Sequence, residues 1–102
     1  MISREVVEGH QVQGVDEVIV YSIDTSNWGG SPSSVSAVVK QLSDGTDVTS
    51  TVMNPNSPSV ATDTITLSTL DTLTEGEVYR VEVQFDIGTD TFECFFYVRA
   101  EL

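Results

Sequence analysis

Residues 73–83 read Leu-Thr-Glu-Gly-Glu-Val-Tyr-Arg-Val-Glu-Val, and this stretch decides the fold. From Tyr79 to Ile87 apolar and polar side chains alternate without a break. Successive side chains of a β-strand point to opposite faces, so the pattern predicts a strand over residues 77–87 with one packed and one wet face. The packed face comprises Tyr79, Val81, Val83, Phe85 and Ile87, and the wet face comprises Arg80, Glu82, Gln84 and Asp86.

The rest of the chain repeats this pattern in shorter pieces, with turn signals about every 8 to 12 residues. Further strands are predicted over residues 17–23, 35–42, 48–52, 64–67 and 91–100, and a weak one over 3–8. Segment 17–23 is apolar on both faces, which predicts a central or covered position. Segments 24–34 and 53–59 are predicted loops, 9–14 a polar connection, and 43–46 and 88–90 hairpin turns.

About seven strands in 102 residues predict one all-β domain, an antiparallel β-sandwich of the immunoglobulin or fibronectin type III kind. We assign residues 15–102 to the sandwich. Residues 1–14 form a separate N-terminal segment, either an edge strand or an arm that can swap onto a neighbour.

The corner before residues 77–87 resembles the one before the sixth strand of fibronectin type III domains, where Leu, Gly and Tyr recur at the spacing of Leu73, Gly76 and Tyr79. The resemblance implies a tyrosine corner, with the Tyr79 ring in the core and its hydroxyl bonded to the chain a few residues upstream. It also implies that Gly76 takes a turn conformation that a side chain would strain. The core Trp of the second strand is missing, and Trp28 follows in the next turn, where it caps the core or forms an exposed contact.

Sixteen acidic and four basic side chains give a formal net charge of −12. Such a surface repels phosphate backbones and anionic lipids, which argues against nucleic-acid and membrane partners. The charge serves solubility or complements a basic partner, and both interpretations stay open. The start of the chain has no signal-peptide pattern, and no apolar run has the length of a membrane helix. We therefore expect synthesis in a cytoplasm.

Residue types suited to catalysis or metal binding are few. His10 is the only histidine, and no nucleophile or orienting partner can be assigned to it, so we predict no catalytic residues and no enzyme. Cys94, the single cysteine, falls in step with apolar neighbours and is predicted to lie in the core. Acidic stretches 44–47 and 86–90 lack a calcium-loop pattern, and turn chemistry accounts for them. We expect no metal and no cofactor.

One feature of the last strand suggests a contact surface. If Phe92, Cys94, Phe96 and Val98 face the core, then Phe95, Tyr97 and Arg99 face outward, beside Arg80, Glu82 and Gln84. Outward aromatic residues with Arg nearby have the composition of a protein-interface core. The alternative is that the N-terminal segment or a loop covers Phe95 and Tyr97 within the same chain.

Taken whole, the chain resembles small acidic immunoglobulin-like proteins encoded among the structural genes of tailed phages and prophages, including fibre–tail adaptors. The resemblance rests on turn and core motifs: Asp-Thr-Ser-Asn-Trp-Gly at 24–29, Ser-Pro at 31–32, Asp-Gly-Thr-Asp-Val-Thr at 44–49 and the corner at 73–79. It implies a non-enzymatic virion structural or adaptor module that docks onto capsid, neck, tail or fibre proteins, or onto further copies of itself. No functional residues transfer with these motifs.

The second hypothesis is a carbohydrate- or cell-surface-binding module. Such a module needs an aromatic platform with polar neighbours, and Trp28, Tyr21 and Asn27 are the candidates. The two hypotheses differ in the surface they use, because the first relies on the Phe95 and Tyr97 face.

Overall fold

The structure, a computed structural model, describes residues 11–102 and the backbone of residues 3–5. His10, with the rest of residues 6–10, lies outside the described residues. The described strands are β1 (Ser3–Glu5), β2 (Gln11–Gly14), β3 (Ser22–Asp24), β4 (Ser33–Gln41), β5 (Ser59–Ala61), β6 (Thr64–Thr66), β7 (Val78–Ile87) and β8 (Asp90–Glu101). A 3₁₀ turn spans Ser26–Trp28, and a single helical turn, α1, spans Thr49–Val52. Neither described helical turn is long enough to cross a membrane.

Two sheets form the predicted β-sandwich. The first sheet contains β8, β7 and β4 in that order, with β1 and β2 both paired to the outer edge of β8. The second sheet has the order β3-β6-β5. Because β1 and β2 occupy successive stretches of one edge, the strands fill seven positions, and the division of β3 to β8 between the sheets is that of an immunoglobulin sandwich.

The N-terminal segment departs from the simplest immunoglobulin arrangement. In the constant-type sandwich the first strand lies in the sheet that holds the second, fourth and fifth strands. Here β1 and β2 instead run parallel to β8 in the other sheet. The prediction that residues 9–14 form a polar connection is therefore wrong for Gln11–Gly14, which pairs with β8 from Val98 to Glu101. This strand was missed because four residues are too short to show a period of two.

The core lies between the sheets and is built mainly from the inward faces of β7 and β8. The alternation predicted for both strands is confirmed, because Val81, Val83, Cys94 and Val98 are fully buried. Val39, Ile65 and Leu70 complete the centre from the facing strands and loops. Burial of each large aliphatic side chain contributes about 1.5 to 3 kcal/mol, so this cluster is the main source of stability.

The loop before β7 has the geometry of a tyrosine corner. The Tyr79 ring is buried, and its hydroxyl accepts a hydrogen bond from the backbone N–H of Thr74 at 2.8 Å. Gly76 has φ +85°, a left-handed conformation that a side chain would strain, and its N–H donates to the carbonyl of Ala100. Leu73 is buried beneath the corner. The corner thus ties the chain entering β7 to the end of β8.

Tyr79→Phe removes the acceptor for the Thr74 N–H while keeping the buried ring. We expect the variant to fold with a free energy of unfolding lower by about 1 to 2 kcal/mol, because a partly buried donor loses its partner. Urea unfolding measures the change. Thr74→Ala is the matched control, since it retains the backbone donor and should stay close to wild type. Equal stability of Tyr79→Phe and wild type would contradict the role assigned to the hydroxyl.

A buried amide connects the two sheets near the start of the sandwich. Gln13 of β2 is fully buried, and its Nε2 donates to the carbonyls of Leu70 at 2.7 Å and Glu17 at 3.0 Å. Its Oε1 accepts a hydrogen bond from the Tyr21 hydroxyl at 3.0 Å. Since a buried amide needs partners for its donors and its acceptor, this network fixes how β2 sits against the second sheet.

The predicted strand over residues 17–23 is wrong in extent and in position. The continuous strand is only Ser22–Asp24, preceded by an isolated bridge between Ile19 and Leu70. The register changes by one residue between that bridge and the Ser22–Thr66 pair, which interrupts the ladder. Within residues 11–102, β3 pairs with β6 alone and is an edge strand, so the double apolar pattern did not indicate a covered position.

The returning strand predicted over residues 48–52 is also wrong, because the chain turns into α1. Asp47 Oδ1 accepts hydrogen bonds from the Thr49 hydroxyl at 2.6 Å and the Thr49 N–H at 3.0 Å. The same hydroxyl oxygen accepts from the N–H of Val39 in β4, at 2.8 Å. Local side-chain bonds of this kind compete with a β-ladder, and the helical turn that results buries Val52 and Met53. The short strand β5 was not predicted either.

Hydrogen bonds from the Thr49 hydroxyl and N–H hold the pKa of Asp47 below its ordinary value. A carboxyl group whose pKa is lower in the folded chain stabilises the fold above the unfolded-state pKa, and this contribution is lost as the pH falls through the folded-state value. Asp47→Asn keeps an acceptor oxygen but does not titrate. The stability of wild type relative to this variant should be constant from pH 7 to about pH 4 and should fall below that.

Urea unfolding of both proteins across this pH range provides the measurement. Because the proteins differ by one charge, the general repulsion among carboxylates largely cancels in the comparison. A stability difference that stays the same down to about pH 2 would contradict the assigned hydrogen-bond effect.

Candidate functional site

The outer face of the first sheet gathers the residues predicted to form a contact surface. Cross-strand pairing places Arg80 of β7 between Tyr97 of β8 and Lys40 of β4. The next row in the same direction contains Phe95, Glu82 and Val38. Because paired residues point to the same side of a sheet, both rows face away from the core. We call the surface formed by these two rows, together with Arg99 and Val12, the outer face.

Ion pairs hold the polar part of the outer face in a fixed arrangement. Glu82 binds two cations at once, with Oε2 at 2.9 Å from Arg80 Nε and Oε1 at 3.4 Å from Lys40 Nζ. Arg99 pairs along its own strand with Glu101 at 2.6 Å. Exposed pairs of this kind add little to stability, so their main effect is to position charge.

Aromatic contacts continue the network across β8. The Arg80 guanidinium carbon lies 3.8 Å from the centre of the Phe95 ring, a cation–π geometry. The rings of Phe95 and Tyr97 meet edge to face, with centroids 5.5 Å apart. Both rings are partly buried at the surface. The structure thus brings together Phe95, Tyr97, Arg80 and Arg99, as the alternation in β7 and β8 predicts.

The outer face also differs from the rest of the molecule in charge. Residues 11–102 contain three basic and fourteen acidic side chains. All three basic side chains, Lys40, Arg80 and Arg99, point to the outer side of the first sheet, where five of the acidic ones lie, including Asp47 opposite Lys40. The other nine carboxylates are distributed over a surface with no basic side chain among the described residues. The outer side of the first sheet is therefore nearly neutral on a strongly anionic protein.

The outer face is shallow, and its shape suits contact with a protein surface better than binding of a small ligand. A depression of about 60 Å³ lies between β4, β7 and β8, lined by Ser36, Val38, Glu82, Val83, Gln84 and Glu93. Pockets for small molecules are usually at least about 300 Å³. A larger depression of about 470 Å³ lies at the end of β8, beside Gly76 and the Arg99–Glu101 ion pair, but it is a shallow hollow open to solvent and does not enclose a ligand.

The N-terminal segment borders the outer face along the edge of β8. β1 pairs with β8 from Glu93 to Phe95, and β2 pairs with it further along. Val12 of β2 lies opposite Arg99 and extends the outer face by one exposed apolar side chain. Val12, Val38 and Lys40 were not predicted, because membership of this surface depends on cross-strand register, which the alternation within a single strand does not provide.

The residues predicted for a carbohydrate platform lie elsewhere and apart. Trp28 is half-buried, and its ring packs on Phe85 with centroids 5.5 Å apart. Tyr21 packs on a different core ring, Phe96, at 5.2 Å, and its hydroxyl bonds to Gln13. Trp28 therefore packs on the core and lies outside the outer face, and its prediction as an interface residue stays a prediction.

The groups considered for chemistry do not form a site in the described residues. Cys94 is fully buried, and burial, followed by the nearby Glu93 carboxylate, raises the pKa of its thiol to about 12. Among residues 11–102 no group of three or more His, Cys, Asp or Glu side chains has the geometry to hold a metal. Asp44 Oδ1 accepts from the Thr46 N–H at 3.0 Å, and Asp86 Oδ1 accepts from the Thr91 hydroxyl at 2.7 Å.

The Cys94 thiol should react with a thiol reagent only when the sandwich opens. We expect labelling of the native protein to be at least about a thousandfold slower than labelling in urea, because a domain of ordinary stability is open for a small fraction of the time. Stopped-flow labelling with a chromogenic disulfide measures both rates. Rapid reaction of the native protein would mean that Cys94 is accessible and would contradict its place in the core.

Comparison of the chain with protein-family models, curated proteins and solved structures gives no match. The functional argument therefore rests on the residues and on the geometry of the outer face.

Proposed function

We propose that this protein is a non-enzymatic virion structural or adaptor module of a tailed phage or prophage, which docks onto other particle proteins through its outer face. The observation that carries the proposal is the concentration of every described basic side chain, with the Phe95–Tyr97 pair, on one side of an otherwise anionic domain. Aromatic residues and Arg are the types enriched in protein interfaces, and charged surfaces elsewhere disfavour competing contacts.

Docking requires that the charged groups of the outer face lose their water, and the Arg80 charge is already compensated within the domain. The Arg80 guanidinium already lies against the Phe95 ring and is paired with Glu82. Since its charge is balanced within the domain, a partner surface can cover it without leaving a buried ion unpaired. The neighbouring rings then supply apolar area at little cost in side-chain freedom, because they already contact each other.

The particle context comes from the resemblance of the turn and core motifs to small acidic phage proteins. The partners would be capsid, neck, tail or fibre proteins, or further copies of this chain, after synthesis in the host cytoplasm. The carbohydrate-binding alternative has less support, because Trp28 and Tyr21 pack on separate core rings and do not form a common platform.

Phe95→Ser combined with Tyr97→Ser should abolish docking and leave the domain folded. We expect the wild-type protein to sediment with phage particles produced by the strain that encodes it, and the double variant to remain in solution. Val60→Ser is the matched control, because Val60 is an exposed apolar residue on the second sheet. Circular dichroism and urea unfolding establish that all three proteins are folded.

Light scattering behind a sizing column, at low and moderate salt, separates self-assembly from docking onto a partner. A ring-sized oligomer that the double variant loses would identify further copies as the partner. A monomer that sediments with particles would identify a different particle protein. A folded wild-type monomer that sediments with no particle would contradict the proposal.

A further inference from the structure

The outer edge of the second sheet is open where an immunoglobulin sandwich has room for another strand. β3 pairs with β6 on one side, and within the described residues no strand lies on its other side. The N-terminal strands, which lie next to this edge in the constant-type arrangement, are paired with β8 instead. The position beside β3 is therefore a strand-sized vacancy in the part of the chain that the structure describes.

The backbone of residues 18–22 directs alternate peptide groups toward this vacancy. Ile19 exchanges both backbone hydrogen bonds with Leu70, and the Tyr21 carbonyl accepts from Leu67. Between the Ile19–Leu70 bridge and the Ser22–Thr66 pair, the partner segment contains one residue more than the segment that begins at Ile19. The direction of the peptide groups therefore alternates without interruption along residues 19–25. The N–H and C=O groups of Val18, Val20 and Ser22 consequently point to the open edge.

The side chains of this segment lack the features that normally protect an edge. Val18 is 62% exposed and Val20 is 53% exposed, although both are large apolar residues. Residues 18–23 read Val-Ile-Val-Tyr-Ser-Ile and contain no charge, no Pro and no Gly. Sheet edges are usually protected by Lys, Pro, a bulge on the edge strand or a covering loop. An unprotected edge with exposed valines is typical of a surface that pairs with another strand.

Acidic residues at both ends of the segment argue against pairing with a second copy. Asp16 and Glu17 precede it and Asp24 follows it, and all three are exposed. Antiparallel pairing of two copies about Val20 would bring the acidic turn at Asp16 and Glu17 of each copy toward Asp24 of the other, and like charges brought together across a strand pair are destabilising. The same carboxylates would attract a strand with basic residues at its ends.

We propose that the edge formed by residues 18–22 binds an extended segment of another protein, with alternating apolar side chains at its centre and Lys or Arg at both ends. The bound segment adds a fourth strand to the second sheet and covers Val18 and Val20. This inference goes beyond the proposed function, since it concerns the sheet opposite the outer face and does not depend on docking there.

The probe is the synthetic peptide Lys-Lys-Val-Thr-Val-Thr-Val-Lys-Lys, titrated into ¹⁵N-labelled protein. We expect saturable changes in the amide resonances of Val18, Val20 and Ser22. A peptide with Asp at the four end positions should bind at least about tenfold more weakly, because its charges face carboxylates. The Phe95→Ser and Tyr97→Ser double variant should bind the Lys peptide as wild type does, which separates this site from the outer face.

Val20→Pro provides the sharpest variant. Proline removes only the N–H that points to the vacancy, and Pro is tolerated where an edge N–H faces solvent. We expect a folded protein that no longer binds the Lys peptide, whereas Val20→Thr, which keeps the N–H, should bind within about threefold of wild type. If Val20→Pro does not fold, Val20→Lys tests the same edge, because it keeps the N–H and repels the Lys peptide.

Three results would overturn the proposal. The first is the absence of resonance changes at residues 18–22 up to millimolar peptide. The second is equal binding of the Lys peptide by wild type and a folded Val20→Pro or Val20→Lys variant. The third is a peptide-free dimer in analytical ultracentrifugation that Val20→Pro abolishes, which would assign the edge to a second copy.

Discussion

The pairing of β7 with β8 is the constraint on which the rest of the structure depends. Val81 lies opposite Phe96 and Val83 opposite Cys94, so both strands direct their apolar positions into the same core. A slip of one residue would move every one of these side chains into water and bring Glu82 inside. The penalty for such a slip fixes the register, and the register in turn fixes the composition of the outer face. Core packing therefore determines which positions form the outer face. It does not determine which residue types occupy those positions.

Sequence reasoning succeeds where one physical effect dominates. Nine alternating residues in β7, Tyr79 to Ile87, leave no competing interpretation, and the fold class follows from that strand, its hairpin partner and the turns around them. It fails where a side chain supplies the backbone with a hydrogen bond. Asp47 and Thr49 produce a helical turn in a segment with strand propensity, and Gln13 holds β2 in a place that composition does not indicate. The Gln13 bond depends on a partner distant in sequence, which a local pattern does not contain, whereas the Asp47–Thr49 bond is local and competes with the strand propensity of its own segment.

Some residues of the candidate site could be predicted from sequence and others could not. Phe95, Tyr97 and Arg80 follow from the period of two, since they are the residues left outside once the core positions are assigned. Lys40 and Val38 join them only through the register of β4 with β7, and Val12 only through the pairing of β2 with β8. The unprotected edge at Val18 and Val20 has a further cause. Its apolar pattern suggested a covered strand, and the position of the N-terminal strands beside β8 is what leaves it open.

The parallel pairing of β2 with β8 has a mechanical consequence. The chain enters the sandwich through β1 and β2 and leaves it through β8, and all three strands point in the same direction. Tension applied along the chain from both sides would slide these strands past one another. The hydrogen bonds between Gln11–Gly14 and the end of β8 would then be loaded together in shear, whereas an antiparallel pair pulled from one end opens one bond at a time. The bond from the Gln13 amide to the Leu70 carbonyl adds a second attachment of β2, to the opposite side of the sandwich, which would also have to break before β2 left β8.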